Sequence, residues 1–579
     1  MSSLIMIGLM KVFIPYLFVV SPSSAPLASS TTMPSKTSSP TSVPASVPAN
    51  QDFVPLSKAE QWVVERINAG KEANLFEYSN GQERVLRGNF IRDIVRGMPK
   101  TNIKPPFEHI TIQNAIIDGP VYLDGADILY LIEMPDCIFK DKFSARGTVF
   151  HKMVSLDGST LKEAIFDDAI FRSTVYMRNT KYEGPASLNY IKCESTLWLS
   201  DSNYNDYISI VGSHIEGSLI CNKGTFSGKT LSVSLNGTTI DGALNITQSR
   251  FEGKIDFTGA VVNKQFKVDD CNFMAPDKDI IFTLMKITGP VYLSNTLFMG
   301  TLYLNEIEAS KLEVSDIKCT NAENTTGFTS INIHGNAIIV NSKFNGAISF
   351  DNSIIEGKLT IKDSNFGSGR GNTSFKAISV GNDIAFNNND FKDNLVLTGM
   401  TYNGLEVDEY RNNCDKIFEL FKKSKYDKEI YSGLEMYMKG HGYNKEANNV
   451  YIESRRRERK TFEYSICKFG DWVFLDLIFG YWRRMLDGVC IISIIIIIFG
   501  ACVFRKRKMR SRVMDGEPIK YCPWWYSIDL FLPAISLQMK DDWLPNEKYK
   551  CVWIYMMVHA LLGWICIAWG LTVALGIIW

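Results

Sequence analysis

Ala-Leu-Asn-Ile-Thr-Gln-Ser-Arg-Phe-Glu-Gly (243–253), Lys-Ile-Asp-Phe-Thr-Gly-Ala-Val-Val-Asn-Lys (254–264) and Gln-Phe-Lys-Val-Asp-Asp-Cys-Asn-Phe-Met-Ala (265–275) follow one another without a gap. Aligned, they define an eleven-residue unit that is apolar at positions two and four (Leu244, Ile246; Ile255, Phe257; Phe266, Val268). Position seven is small (Ser249, Ala260, Cys271) and position nine is large (Phe251, Val262, Phe273). Alternation with period two is the pattern of a short strand with one face inward, and a small residue between apolar pairs suits a tight corner over a narrow interior. A fixed period of this kind, with Gly at corners and no helical spacing, predicts a parallel β-solenoid.

The same register returns at 336–366, through Ile339, Ser342, Phe344, Ile348, Phe350, Ser353, Ile355, Leu359, Ile361, Ser364 and Phe366. It also fits Val121, Leu123, Ala126, Ile128 and Val291, Leu293, Thr296, Phe298, so the solenoid is expected over 107–407. At about 22 residues per coil and ~4.8 Å between stacked strands, this gives about thirteen coils and a rod of roughly 60 Å. Extra residues at 275–280, 320–328 and 367–375 fall between units, where loops can bulge without disturbing the ladder. A β-sandwich is the rival fold, but it would not require an eleven-residue register. Cys137 and Cys271 occupy the small corner position, which argues for free, buried thiols. Bridges among Cys137, Cys193, Cys221, Cys271, Cys319 and Cys414 are the alternative, unsupported by any CxxC spacing.

On either side of the solenoid the pattern changes. Residues 1–22 read as a signal peptide or N-terminal hydrophobic segment, 23–52 as a Ser/Thr/Pro-rich linker, and 53–106 as an N-terminal helical cap. After it, 408–465 shows helical spacing (Ile417, Leu420, Phe421; Ile430, Leu434, Met438) and is expected to be a helical hairpin that covers the open end of the rod. Residues 466–487, with Trp472, Leu475, Ile478, Tyr481 and Trp482, suit an interfacial juxtamembrane helix.

Two stretches, 488–504 and 551–579, are long and apolar enough to cross a bilayer, which makes the chain multi-pass and the lipid bilayer its first partner. Arg505, Lys506, Arg507, Lys508, Arg510 and Arg512 follow the first span and place 505–550 in the cytoplasm by the positive-inside rule. The solenoid is then extracytoplasmic, in agreement with glycosylation-type sequons at Asn236, Asn245, Asn324 and Asn372, although the basic run Arg455 to Lys460 argues for the opposite orientation. Within 505–550, the segment 521–538 is apolar but short and interrupted by Asp529 and Pro533. It reads as an interfacial amphipathic helix or a re-entrant dip, and Asp529, Pro533, Asp542 and Trp543 are the candidate residues of this membrane segment.

The units 242–253 and Gly357-Lys-Leu-Thr-Ile-Lys-Asp-Ser-Asn-Phe-Gly367 resemble the degenerate repeats of pentapeptide-repeat-like membrane proteins of prokaryotes. The likeness continues through the hairpin Tyr431-Ser-Gly-Leu-Glu-Met-Tyr437 to Arg455-Arg-Arg-Glu-Arg459 and the juxtamembrane Gly480-Tyr481. It extends through Tyr526-Ser-Ile-Asp-Leu-Phe-Leu-Pro533, Asp542-Trp-Leu-Pro545 and Leu562-Gly563-Trp564, covering about 107–579. The resemblance implies a mainly β architecture: a solenoid, a helical cap and a C-terminal α-helical membrane module, in a group whose function is largely undefined. The oxidoreductase label sometimes attached to that group finds no dinucleotide fingerprint here. The export signal and its Ser/Pro spacer depart from the pattern.

With 62 Lys+Arg against 62 Asp+Glu the chain has no global field to gather nucleic acid, so nucleic acid is not an expected partner. The six histidines form no metal-ligand spacing, and the paired acids Asp167-Asp168, Asp269-Asp270 and Asp541-Asp542 read as solvated corners. No catalytic residue, cofactor site or metal site is expected. The residues point to a non-enzymatic, membrane-anchored scaffold whose solenoid face meets another protein or a surface glycan. The alternatives are a channel-like or sensor module at 488–579, which as a two-span pore would need a homo-oligomer, and a carbohydrate-active β-helix enzyme with two carboxylates on one face.

Overall fold

The computed structural model describes residues 55–78, 83–98, 101–106, 108–367, 371–392, 394–408, 410–411, 414–478, 480–481, 485–513, 517–532 and 535–575. The expected signal segment 1–22 and linker 23–52 lie outside the described residues.

The eleven-residue rhythm becomes half a turn of a four-sided parallel β-solenoid. One coil runs through Val175–Tyr176, Lys181–Tyr182, Ala186–Ser187 and Lys192–Cys193, and each strand pairs in parallel with its counterpart 22 residues on: Leu197–Trp198, Asn203–Tyr204, Ile208–Ser209 and His214–Ile215. About thirteen such turns stack along the axis. Among the described residues every ladder between coils is parallel, which excludes a sandwich; the one antiparallel pairing at the rod, Val407 with Tyr410, is where the chain turns back at the last coil.

All four patterned positions of the unit face inward: Leu244, Ile246, Ser249 and Phe251 are each buried. Because coils repeat at the strand spacing, like stacks on like. Position nine builds a column of rings, Tyr182, Tyr204, Phe226, Phe251, Phe273 and Phe298, whose successive centroids lie 4.6 to 4.8 Å apart and nearly parallel.

Position seven does more than leave room. Ser202 donates to the carbonyl of Met177 in the coil before and accepts the amide of Thr180; Ser213 does the same with Leu188 and Ile191, and Ser353 with Phe328 and Ile331. Each hydroxyl satisfies two backbone groups that the corner would otherwise leave buried and unpaired. Cys271 donates its thiol to Ile246 O, and Cys137 to Ile112 O, in the same place. Both thiols are free and buried, as are Cys193, Cys221 and Cys319; Cys414 starts a helix, and its side chain is outside the described set. Position six supplies the corner itself: Gln248, Gly259, Asp270, Asn341, Asn352 and Asp363 all have positive φ, a conformation that Asn, Asp and Gly adopt at least cost.

The interruptions are ordered too. Successive positive-φ corners lie eleven residues apart through most of the rod but fourteen apart from Lys223 to Gly237, Asp270 to Leu284, Asp316 to Ser330 and Asp363 to Ala377. Each extra loop leaves between the second and third faces, so the four form a row along one edge, in every second coil. Gly253, Gly300 and Gly346 of the intervening coils lie beneath them: a Cβ at these positions would come within 2.0, 2.0 and 2.3 Å of a loop carbonyl.

The first helix, α1 (Lys58–Asn68), is held by the Ser57/Glu60 capping box, and Glu60 also binds the Arg87 guanidinium ahead of α2 (Gly88–Val95). The solenoid starts inside this cap: Ala73 already pairs with Ile112, and Val85–Arg87 with Ile116–Asp118. At the far end, α3 (Cys414–Lys422), α4 (Lys428–Gly440) and α5 (Asn444–Lys460) bury Ile417, Leu420, Phe421, Ile430, Leu434 and Met438 against the last coils. The Tyr437 hydroxyl accepts the Leu405 amide, joining hairpin to ladder.

Replacing Ser202 by Ala is expected to cost about 1–3 kcal/mol, because the Thr180 amide loses its acceptor in the dry interior. Ser202→Cys is expected to recover part of that loss, as Cys271 does naturally. Thermal unfolding of the full chain in detergent measures both.

Candidate functional site

The region after the solenoid brings buried polar groups together with apolar surface. It begins with α6 (Ser465–Gly470), which continues as a π-helix, Asp471–Ile478. Tyr464, Ile466, Phe469, Trp472 and Leu477 are exposed along this segment, whereas Asp471 and Asp476 are buried, so the segment is amphipathic. The two acids meet the basic run at the end of α5. Arg456 grips Asp476 through Nε (3.0 Å to each oxygen) and Nη2 (2.8 Å), and Arg459 Nη1 lies 2.9 Å from Asp476 and 3.4 Å from Asp471. Such two-pronged, charge-assisted contacts are geometrically demanding, so they fix the segment's direction relative to α5. The turn that follows is locked by the same cluster. Tyr481, buried and at φ 51°, donates its hydroxyl to Asp471 and accepts from Arg459 Nη1 at 3.3 Å. The basic run Arg455 to Lys460 therefore acts in part within the chain, as a clamp between cap and amphipathic segment.

Beyond it lie the two apolar helices, α7 (Met485–Val503) and, after the intervening segment, α10 (Lys550–Ala574). Their stretches Leu486–Val503 and Lys550–Ala574 have mean hydropathies of 2.7 and 2.0 and are only 22% buried, so they are long and apolar enough to cross a membrane. Between them fits α8 (Pro523–Phe531), which starts at Pro as a helix N-terminus allows. At its entrance the Tyr521 hydroxyl donates to the Phe504 carbonyl. Deeper, Ser527 Oγ donates to Ile497 O on α7, and Phe531 clusters with Val489 and Cys566. Gly563 permits this approach: a Cβ there would stand 2.1 Å from the Phe531 carbonyl. By the rise of an α-helix, α8 reaches about 20 Å along α10. The chain then returns, and Met539, in the short helix α9 (Met539–Asp542), packs beside Phe504, Met509 and Tyr521.

The sequence candidates organise this return. Asp529 is fully buried and accepts the amides of Leu537 (2.7 Å) and Lys540 (2.8 Å), with Lys540 Nζ at 3.7 Å. Asp542 accepts the Ile519 amide, and Trp543 Nε1 donates to the Ile519 carbonyl. A two-stranded ribbon of Met509–Ser511 and Trp543–Pro545 closes the loop at its base. Pro533 lies outside the described residues. These groups shape the hairpin rather than converge on one site. What converges instead is Ser527, Tyr555 and His559, and the only signal of it in the sequence is one histidine in an otherwise apolar span.

Of the sequons, Asn324 and Asn372 are exposed at the row of edge loops, whereas Asn236 and Asn245 are partly buried, Asn245 accepting from Gln265 at 3.1 Å. The paired acids join neighbouring coils: Asp167 accepts the Asn189 amide, and Asp269 the Ser294 hydroxyl. Among the described residues no three His, Cys, Asp or Glu side chains form a metal-sized cluster.

Burial pushes the Asp476 carboxyl up, but Arg456 and Arg459 outweigh it and hold the group below its ordinary value. A depressed carboxyl contributes stability above its unfolded pKa and loses it as pH falls through the folded one, so the clamp is expected to release only below about pH 4. Asp476→Asn is expected to release the amphipathic segment already at neutral pH, read as faster amide exchange over 465–478. No protein-family model, curated protein or solved structure matches this chain, so the likeness to pentapeptide-repeat proteins rests on its residues alone.

Proposed function

We propose that the chain is a membrane-anchored scaffold that presents a rigid β-solenoid as an interaction surface and performs no catalysis. The observation that carries this reading is the continuity of the chain's second half. A stiff rod is closed by a helical hairpin, the hairpin is clamped by Arg456 and Arg459 to an amphipathic segment, and that segment leads into two helices whose outward sides are apolar. Exposed Ile466, Phe469 and Trp472 suit the interfacial layer of a bilayer, and Ile494, Ile495, Phe499, Leu561 and Trp564 suit its hydrocarbon. The rod then stands off the membrane, its orientation set by the clamp. The partner on the solenoid is another protein or a surface glycan, and the extracytoplasmic side is favoured by the basic residues after α7.

A second reading has its own support. Helix α8 inserted between α7 and α10 is the span, dip, span outline of a channel-like or sensor module, in which a ligand on the solenoid would act on the dip through the clamp; assembly of several copies around one axis would supply a pore.

Fractionation tests the anchor: the full chain is expected to stay with membranes through an alkaline carbonate wash, and release by the wash overturns it. Orientation is read separately. A Glu323→Cys variant, with its thiol on an exposed edge loop, is expected to react with a membrane-impermeant maleimide in intact cells. Labelling only after permeabilisation would place the solenoid inside.

A further inference from the structure

The histidines of the solenoid have a common environment. His109, His151, His214 and His334 each face a carboxylate of a neighbouring coil: Glu133, Asp127, Asp241, and both Glu308 and Glu356. Contacts with Glu356 and Glu308 raise the pKa of His334, so the charged form is favoured there and added protons tighten these contacts.

His559 is placed in the opposite way. It is fully buried, about 13 Å along α10 from Lys550, where α7, α8 and α10 meet. Its Nε2 lies 3.0 Å from the Ser527 carbonyl, which fixes a proton on that nitrogen, and Nδ1 lies 3.2 Å from the Tyr555 hydroxyl, which can donate to it. Ser527 in turn holds α8 to α7 through the Ile497 carbonyl. The fit is close: a Cβ at Gly500 would stand 2.5 Å from His559 Cε1 and 2.3 Å from Ser527 Oγ. The rings of Phe504 and Phe531 flank the imidazole at 5.6 and 6.0 Å.

Among the described residues no carboxylate touches this ring. The titratable groups near it are Tyr555 on its own helix and, from α8, Tyr526, whose hydroxyl is turned to Met556, and Asp529, whose oxygens are taken by the Leu537 and Lys540 amides and approached by Lys540 Nζ. Helix α7 presents Ile497 and Gly500, and Phe504 follows its end, none of them titratable.

We propose that His559 is a proton-binding site that controls the seating of α8 between the two apolar helices. The neutral ring satisfies both its nitrogens where it lies. A proton taken from solution onto Nδ1 turns an acceptor into a second donor, forces the Tyr555 hydroxyl to reverse, and leaves a cation with no counter-charge in an apolar setting. The charge is accommodated only if water reaches it, which requires α8 to withdraw. Acid therefore loosens α8 while it tightens the His334 contacts with Glu308 and Glu356, and the two places respond to protons with opposite sign.

Hydrogen exchange of the full chain in detergent micelles, corrected for intrinsic rates, tests this. Protection of the amides of 526–531 is expected to fall about tenfold between about pH 7.5 and about pH 5 in the native protein. His559→Gln, whose amide can keep both hydrogen bonds but cannot titrate, is expected to show no such fall. If that variant does not fold, Tyr555→Phe decides. It removes the hydroxyl that donates to the neutral Nδ1, weakens the seated neutral form, and is expected to move the midpoint to higher pH. Protection that stays constant in the native chain, an equal fall in His559→Gln, or an unmoved midpoint in Tyr555→Phe overturns the proposal. The inference rests on the membrane reading only for the medium around the helices. The alkaline wash tests that reading, and the exchange profile tests the histidine whichever way the wash comes out.

Discussion

Parallel stacking of backbone rungs at one strand spacing is the constraint from which the rest of the solenoid follows. When a coil is repeated every 22 residues in register, each inward side chain has a copy of its own position above and below it. Flat rings can meet that condition face to face, and they do so from Tyr182 to Phe298. The same constraint creates a difficulty at the corners, where the ladder turns and buried amides and carbonyls lose their strand partners. The serine and threonine hydroxyls at position seven answer it, bridging two coils from within the core.

A solenoid has two ends, and both must be covered because an unpaired edge invites further pairing. Here the C-terminal cover has a second consequence. The hairpin that closes the last coil also carries Arg456 and Arg459, which hold the amphipathic segment by its acidic side. The segment's apolar side is thereby turned outward. A rod stiff along its axis, joined by a charged clamp to apolar helices, has few internal degrees of freedom between solenoid and helices. Any flexibility belongs to the clamp and to the dip, where polar groups rather than stacked rungs maintain the packing.

Much of this was legible in the chain before any coordinates. The inward positions could be read because strand alternation is local and the unit recurs without interruption at 243–275, whereas the start of the ladder at Ala73, within the expected cap, could not. Even the loops at 275–280, 320–328 and 367–375 stood out as extra residues. That all of them, with a fourth at 227–231, leave from one edge in alternate coils could not be read, since it depends on counting corners whose residues vary from Gln248 to Leu284. The role of position seven was hidden for a related reason: smallness and hydrogen bonding both favour Ser, and only distances separate them.

In the C-terminal module, composition alone determined that two stretches are apolar enough to span a bilayer and that a third is too short and polar to do so. Hydropathy is a property of residues in sequence, and folding does not alter it. Tertiary structure alone decided that α8 packs against both apolar helices, which is a matter of neighbours rather than of pattern. Gly500 and Gly563 open the space and Ser527 and His559 fill it, residues up to 63 positions apart that no local period connects. The arginine clamp was likewise decided by folding, since a basic run reads equally as a topological signal or an internal partner until the acids it faces are known.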